Sequence, residues 1–351
     1  SLVGRSRNKG IKNYRAERDR RHFLYEEYLR TLDELRPDVF VMENVKGLLS
    51  SQVGGGRVFE RLLEEIADPT KALGRKGKQS KYRVYSLVPG GEGEDSSTSP
   101  DYLVRSERFG VPQARHRVIL LGVAERLGVT PRALVPAGAM IPVEHVLSSM
   151  PKIRSGLSKG DDSPERWHDV FERGSKIVRR SMGGSYEELD RIVSGARRLT
   201  SRGQGFHPYR KNQRNSSELD QWLIDPRLGG FVQHESRSHI AEDIWRYMYC
   251  SFYASKNSGN SPRTRDFPDQ LAADHKNWKS GNFADRFKVQ ARGKPASTVT
   301  SHISKDGHYY IHYDPSQSRS LTVREAARLQ TFPDNYFFEG TRTQQYLSLI
   351  H

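Results

Sequence analysis

Val39-Phe40-Val41-Met42-Glu43-Asn44-Val45 places four apolar residues directly before a carboxylate and an amide. A short continuous apolar run suits a strand buried on both faces of a sheet. Ahead of it, Leu24, Tyr25, Tyr28, Leu29, Leu32 and Leu35 recur at helical spacing, and Pro37 stops that helix. Behind it, Gly54-Gly55-Gly56 opens a second helix with Val58, Phe59, Leu62, Leu63 and Ile66 on one face. These glycines lack the following Lys-Ser/Thr of a phosphate loop and read as a flexible turn. Tyr82 to Val88 and Arg117 to Val123 read as further strands, with a flexible acidic Gly/Ser-rich insertion, Gly90 to Pro100, between them. Helix and strand alternate to about residue 125, the pattern of an α/β domain with a mostly parallel sheet.

Two groups of residues in this domain can carry chemistry. In open α/β sheets functional groups gather just beyond the carboxyl ends of strands. Glu43 stands there, where a carboxylate is expected to be partly desolvated and able to donate a proton. The plainer reading is a polar strand end that caps the next turn. The second group is Gln113-Ala114-Arg115-His116-Arg117, after Phe109-Gly110-Val111-Pro112. Arg115 and Arg117, two apart on an extended segment, point the same way. Arg117 opens an apolar strand and needs a carboxylate, phosphate or carbonyl partner. A structural salt bridge satisfies that need as well as a substrate does.

From residue 150 to 295 the texture changes. This stretch is polar, basic and without clean alternation, with Arg179-Arg180, Arg197-Arg198-Arg202 and Arg210-Lys211-Arg214 in clusters and Phe206 and Tyr209 between them. It reads as a second domain or large insertion. The first 21 residues form another basic segment, which includes Arg5, Arg7 and Lys9. With 57 Lys+Arg against 42 Asp+Glu, the net charge of +15 favours a polyanionic partner through counterion release. No stretch approaches the roughly 20 apolar residues of a membrane span. One cysteine, Cys250, excludes an internal disulfide framework and a cysteine-based metal cluster, and the expected compartment is the cytoplasm.

Cys250 lies in an aromatic, helix-like stretch without an adjacent Pro or Gln, and reads as a packed structural thiol. His302, His308 and His312 lie close together, but His308 to His312 is aromatic and β-branched. It reads as a strand and not as a metal-binding helix, so no metal is expected. Thr322 and Glu325 form a T-x-x-E capping box that opens a helix over Val323 to Gln330, ended by Phe332-Pro333.

Three of these pieces, in this order, resemble the DNA cytosine-5 methyltransferase family. They are Glu43-Asn44-Val45, Gln113-x-Arg115-x-Arg117, and the run from Arg319 to Asp334, which reads R-S-L-T-V-R-E-A-A-R-L-Q-T-F-P-D. The last is the most specific. The match covers residues 1 to about 125 and 290 to about 346. The resemblance implies a partial Rossmann-like, S-adenosylmethionine-dependent methyltransferase domain with an inserted, loop-rich target-recognition domain. Residues 1–145 would be the later part of the catalytic domain, 146–295 the recognition domain, and 296–351 a return segment.

The resemblance further implies that a cytosine is flipped out of duplex DNA and attacked at carbon 6 by a cysteine thiolate. Carbon 5 then takes a methyl group from S-adenosyl-L-methionine. Glu43 matches the glutamate that contacts cytosine N3 and the exocyclic amine. Arg117 matches the arginine at O2, and Arg115 the one that orders the nucleophile. Asn44 is expected to fix the turn presenting Glu43, with Gln113 supporting, and Leu24 to lie against the cofactor adenine. Arg5, Arg7, Lys9, Arg197, Arg198, Arg210 and Lys211 are the expected DNA contacts. A monomer is expected, with a cognate restriction endonuclease as the partner acting on the same site. The family's glycine motif, its Pro-Cys-Gln nucleophile and its closing Gly-Asn motif are not in the sequence. Ser1-Leu2-Val3-Gly4-Arg5 matches the family's continuation after Pro-Cys-Gln, so the expectation is a fragment that is inactive by itself. A non-catalytic DNA-binding remnant and an RNA-directed enzyme are the alternatives.

Overall fold

The computed structural model describes residues 24–53, 56–77, 79–88, 101–182, 186–210, 217–274, 278 and 285–350. The basic segment before Leu24, Gly54-Gly55, the 90–100 insertion and Lys211 lie outside these residues. The chain divides into two compact units. One runs to Phe109 and takes in Arg115–Ala137; the other is Gly110–Ala114 with Gly138 onward.

In the first unit α1 (Leu24–Leu35) buries Tyr25, Leu29 and Leu32 at helical spacing. After Pro37 comes β1 (Val39–Val45), which runs three residues further than the apolar quartet and includes Glu43 and Asn44. The short pair β2 (Gln52–Val53) and β3 (Gly56–Arg57) leads into α2 (Val58–Ala67), which buries Val58, Leu62 and Ile66. Asp68 then caps α3 (Pro69–Ala72), its side chain accepting from the Lys71 N–H. β4 (Tyr82–Ser86), β5 (Leu103–Arg105), β6 (Gln113–Ala114) and β7 (His116–Ala124) follow, β6 belonging to the second unit.

The sheet corrects two expectations. It is antiparallel: β7 lies between β1 and β4, pairs with both in the opposite sense, and also pairs antiparallel with β5. A parallel neighbour needs a crossover connection of about a dozen residues, usually helical, and the short link from Ser106 to Arg115 instead turns the chain back. Nor is β1 buried on both faces. Phe40 packs on the core with Leu29, Leu62, Val118 and Leu120, whereas Val39 and Val41 are 50% and 58% exposed. Gly122, opposite Phe40, is required here: a Cβ there would sit 2.1 Å from the Phe40 ring.

The second unit has two apolar clusters. One is built on α5 (Pro164–Met182), α6 (Tyr186–Ala196) and α8 (Ala241–Lys256), with Trp167, Phe171, Tyr247, Met248 and Cys250 buried; α4 (Val143–Leu147) and the pair β8 (Gly156–Leu157) and β11 (Ser238–His239) precede or join these helices in the chain. The other cluster joins α4 to α7 (Glu218–Leu223), the antiparallel pair of β9 (Gly203–Pro208) and β10 (Gly230–Glu235), α9 (Val323–Leu329) and α10 (Arg342–Ser348). Its core includes Val146, Leu219, Phe231, Ala326, Leu329 and Tyr346, so the return segment shares a core with the region before it. β12 (Ala296–Ser297) pairs parallel with β6.

The capping box forms as read: the Thr322 hydroxyl accepts from the Glu325 N–H at 3.2 Å, and the Glu325 carboxylate from the Thr322 N–H at 2.8 Å. The strand expected at His308 to His312 does not form. Tyr310 closes a turn on Gly307, and Ile311 makes isolated bridges to Val289 and Ser320. Among the described residues no helix is long and apolar enough to cross a membrane.

Candidate active site at the ends of β1 and β7

Antiparallel pairing sets Glu43 opposite Ile119 and Val45 opposite Arg117. Directly opposed residues and their second neighbours share a face, so Glu43 and Arg117 are diagonal neighbours. Arg117 Nε forms an ion pair with Glu43 Oε1 at 2.7 Å, and its Nη1 donates to the His116 carbonyl at 2.9 Å. The partner required for an arginine at this strand start is thus a carboxylate 74 residues away in sequence. The desolvation expected of Glu43 is not found: its side chain is 51% exposed. Its second oxygen has no partner among the described residues.

Arg115 stands beside this pair, half buried. Burial, then the positive charge of Arg117, push its pKa below the usual arginine value, with Glu43 opposing. Its guanidinium has no hydrogen bond or ion pair among the described residues. The face therefore presents one fixed guanidinium, one free guanidinium and a carboxylate with an open oxygen. Such a set can hold a planar group that carries a carbonyl oxygen beside N–H donors.

Two residues that the sequence reading did not single out hold this segment. Ser106 Oγ accepts from the Arg115 N–H at 3.0 Å, and Glu107 Oε1 meets His116 Nε2 at 2.7 Å. His116 points to the face opposite Arg115 and Arg117. The only sequence signal for them is their place just ahead of Phe109-Gly110-Val111-Pro112. Asn44 does not shape a turn after Glu43; it is inside β1, where its side chain accepts from the Val45 N–H at 2.8 Å. Gln113 is buried in the second unit, donating to the Leu329 carbonyl at 3.2 Å and accepting from the Val299 N–H at 3.3 Å. Leu24 is the first residue of α1, with its side chain outside the described residues.

The Arg319 to Asp334 run is mostly internal. Arg319 grips Glu325 with two bonds of 2.7 Å, and Arg328 grips Asp334 at 2.9 and 2.6 Å. Arg324 donates to the carbonyls of Val232, Pro333 and Tyr336. Burial alone would raise the Glu325 carboxyl, but Arg319 facing it holds it well below its usual value. A cavity of about 740 Å³ in this unit reaches Glu325; of its other lining charges Lys152 pairs with Asp314 at 2.7 Å, Glu188 with Lys256 and Arg292 with Glu144.

Of the expected DNA contacts, Arg5, Arg7, Lys9 and Lys211 lie outside the described residues. Arg198 and Arg210 are exposed, and Arg197 is bound to Glu172 at 3.0 and 2.7 Å. His308 Nδ1 meets the Tyr247 hydroxyl at 2.7 Å, and His312 Nδ1 accepts from the Asp314 N–H at 3.0 Å. Among the described residues no group of three or more His, Cys, Asp or Glu is placed to hold a metal.

Cys250 is buried inside α8, and burial pushes its thiol well above the usual value. A neutral, enclosed thiol is a poor nucleophile. The folded chain is therefore expected to resist alkylation at neutral pH and to react once denaturant is added. Rapid labelling of the folded chain, followed by mass spectrometry, would show an accessible thiolate and contradict the structural role.

The family model for C-5 cytosine-specific DNA methylase matches residues 9–349. Type II methyltransferase M.Bpa9945I of Bacillus paralicheniformis is 33% identical over 352 residues, 99% of this chain and 63% of that protein. The chain thus spans about two thirds or less of that relative's length. DNA (cytosine-5-)-methyltransferase M.ApeKI of Aeropyrum pernix is 26% identical over 92% of this chain and 70% of its own. Among solved structures, a prophage-encoded E. coli protein described as a DNA modification methyltransferase matches with a TM-score of 0.53. It is 16% identical, over 94% of this chain and 69% of its own, a likeness of fold.

Proposed function

The chain belongs to the C-5 cytosine-specific DNA methylase family, and we propose that the protein containing it methylates carbon 5 of a cytosine flipped out of double-stranded DNA. The Glu43–Arg117 contact, with the unpartnered Arg115 beside it, carries this reading. The open oxygen of Glu43 takes the N3 and exocyclic-amine edge of the cytosine, and the guanidinium of Arg117 holds O2. When a thiolate adds to carbon 6, negative charge develops along N3 and O2; the Arg117 guanidinium meets it at O2, and a proton held between the Glu43 carboxyl and N3 neutralises it there. Arg115 orders the nucleophile and nearby backbone. Asn44 and Gln113 support the two chain segments that present the site.

The methyl donor proposed is S-adenosyl-L-methionine, the general donor of methyltransferases. Leu24 is the one residue of this chain carried over to it. The described residues do not by themselves make up a site for it, so no step is derived through the donor. Residues 1–145 are proposed as catalytic, 146–295 as target recognition through Arg197, Arg198, Arg210 and Lys211, and 296–351 as the return segment. Arg5, Arg7 and Lys9 are proposed to contact DNA. A cognate restriction endonuclease acting on the same sequence is the proposed partner.

Labelled donor and mixed-sequence DNA test the reading. The 351 residues alone are expected to transfer nothing above background, because their one cysteine is enclosed. Joined to a Pro-Cys-Gln segment from a relative, they are expected to methylate DNA, and exchange of residues 146–295 to change the sequence modified. Transfer by the 351 residues alone would return Cys250 to the chemistry. A folded joined protein that binds DNA without transfer would leave a DNA-binding remnant. An unchanged sequence after exchange would remove 146–295 from recognition.

A further inference from the structure

α5 is a 19-residue helix that buries Trp167, Phe171, Gly174 and Val178 on one side. On the other side Arg173, Lys176 and Arg180 are exposed. Spaced three and four apart, they form one stripe along the helix. None of them has an ion pair or hydrogen bond among the described residues. Two nearby acids are already occupied, Glu172 by Arg197 at 3.0 and 2.7 Å and Asp190 by Arg179, and Asp169, one turn before Arg173, is exposed.

A solvated helix face is the plainer explanation. It leaves the segregation of charge unexplained. The exposed acids of α5, Glu165 and Asp169, stand in its first half, and the three cations follow without an intervening acid on that face. Attraction to the helix dipole favours a cation in the last turn, which covers Arg180 but not Arg173 in mid-helix. Seven residues of helix span about 10 Å. Over that length one strand of duplex DNA presents about three phosphates.

We propose that α5 lies along the phosphate backbone of duplex DNA, with Arg173, Lys176 and Arg180 neutralising about three phosphates outside the bases that set the recognised sequence. This rests on the reading that the chain acts on DNA. The contact positions the protein on the duplex and carries no sequence information.

The chain itself, binding a labelled mixed-sequence duplex, provides the test by fluorescence anisotropy from about 50 to about 200 mM salt. Each phosphate contact contributes about 0.9 to the slope of log K against log salt. The R173Q/K176Q/R180Q variant is therefore expected to have a slope shallower by about 2 to 3 than the unaltered chain. R173K/R180K keeps the charges and is expected to keep the slope. R227Q/R263Q/R265Q removes the same charge from other exposed positions and is expected to change the slope by less than about 1. Equal slopes for the unaltered chain and the α5 variant, with equal melting curves, would overturn the proposal. So would an equal loss in the R227Q/R263Q/R265Q control, which would make net charge the cause. If the unaltered chain bound no DNA at any salt, the DNA reading would fail and take this proposal with it. Binding with an unchanged slope would sink the proposal alone.

Discussion

Glu43→Gln, in a protein that joins these residues to a Pro-Cys-Gln nucleophile, lowers turnover about a hundredfold or more while DNA affinity stays within a few-fold. A proton delivered by a positioned carboxyl to N3 as thiolate attack charges the ring is worth this much, and it affects kcat because the ground state does not need it. Affinity comes mainly from phosphate contacts, which the change leaves intact. Glu43 is 51% exposed and Arg117 21%, so their pair contributes at most about 1 kcal/mol to folding, and lost stability does not account for a hundredfold fall. Arg117→Ala acts twice: it removes the O2 contact and releases the carboxylate that its Nε holds at 2.7 Å. The losses are therefore not additive, and the double variant is expected to turn over little more slowly than the worse single one. Single-turnover rates with saturating DNA measure this. Near-normal turnover in either single variant would mean that the pair is a structural salt bridge and nothing more.

The pair also marks how far the sequence could be read. Both partners were legible singly: Glu43 from its place after an apolar run, Arg117 as an arginine that opens one. Their contact was not, because it depends on the antiparallel register of β1 and β7, which pairs Val45 with Arg117. The apolar quartet Val39 to Met42 misled for the same reason. Residue pattern marks a strand but does not say which strands lie beside it, so neither the antiparallel sense nor the exposed side of Val39 and Val41 could be read. The signature from Arg319 to Asp334 identified the family and its capping box. That its arginines face inward, onto Glu325, Asp334 and three backbone carbonyls, lay beyond a linear reading, since charged residues are ordinarily placed outside. In α5 the polar composition of the segment hid an apolar stripe of Trp167, Phe171 and Val178. At His308 to His312, aromatic and β-branched residues suggested a strand, but burial was met by single bridges at Ile311.

Those internal arginines give the largest expected effect on stability. Arg319 and Glu325 are 0% and 1% exposed and joined by two bonds of 2.7 Å, so Arg319→Ala leaves a carboxylate enclosed without its partner. Removing one member of a buried pair costs about 3–5 kcal/mol, against a total of about 5–15 kcal/mol for a folded domain. By contrast Arg227→Ala, whose side chain is 89% exposed, is expected to change little. The double change Arg319→Met/Glu325→Leu recovers only part of the loss, although apolar replacement of a buried pair is often neutral. Arg319 also donates to the Ile153 and Ser320 carbonyls, and Glu325 accepts from the Thr322 N–H at 2.8 Å to cap α9; these groups are orphaned in the double variant. Acid adds an independent signature. Arg319 holds the Glu325 carboxyl below its unfolded value of 4.5, so the stabilisation is complete above that pH and is lost as pH falls toward the lower folded value. Asp314, held to about 2 beside His312 and Lys152, contributes in the same direction. Urea midpoints are therefore expected to fall steadily below about pH 4.5 in the unaltered chain and less steeply in Arg319→Ala, where the Glu325 shift is gone. If Arg319→Ala kept the unaltered midpoint at neutral pH, or an equally steep acid limb, the ion pair would not hold the core of the second unit together. The Arg319 to Asp334 run would then need a role outside folding.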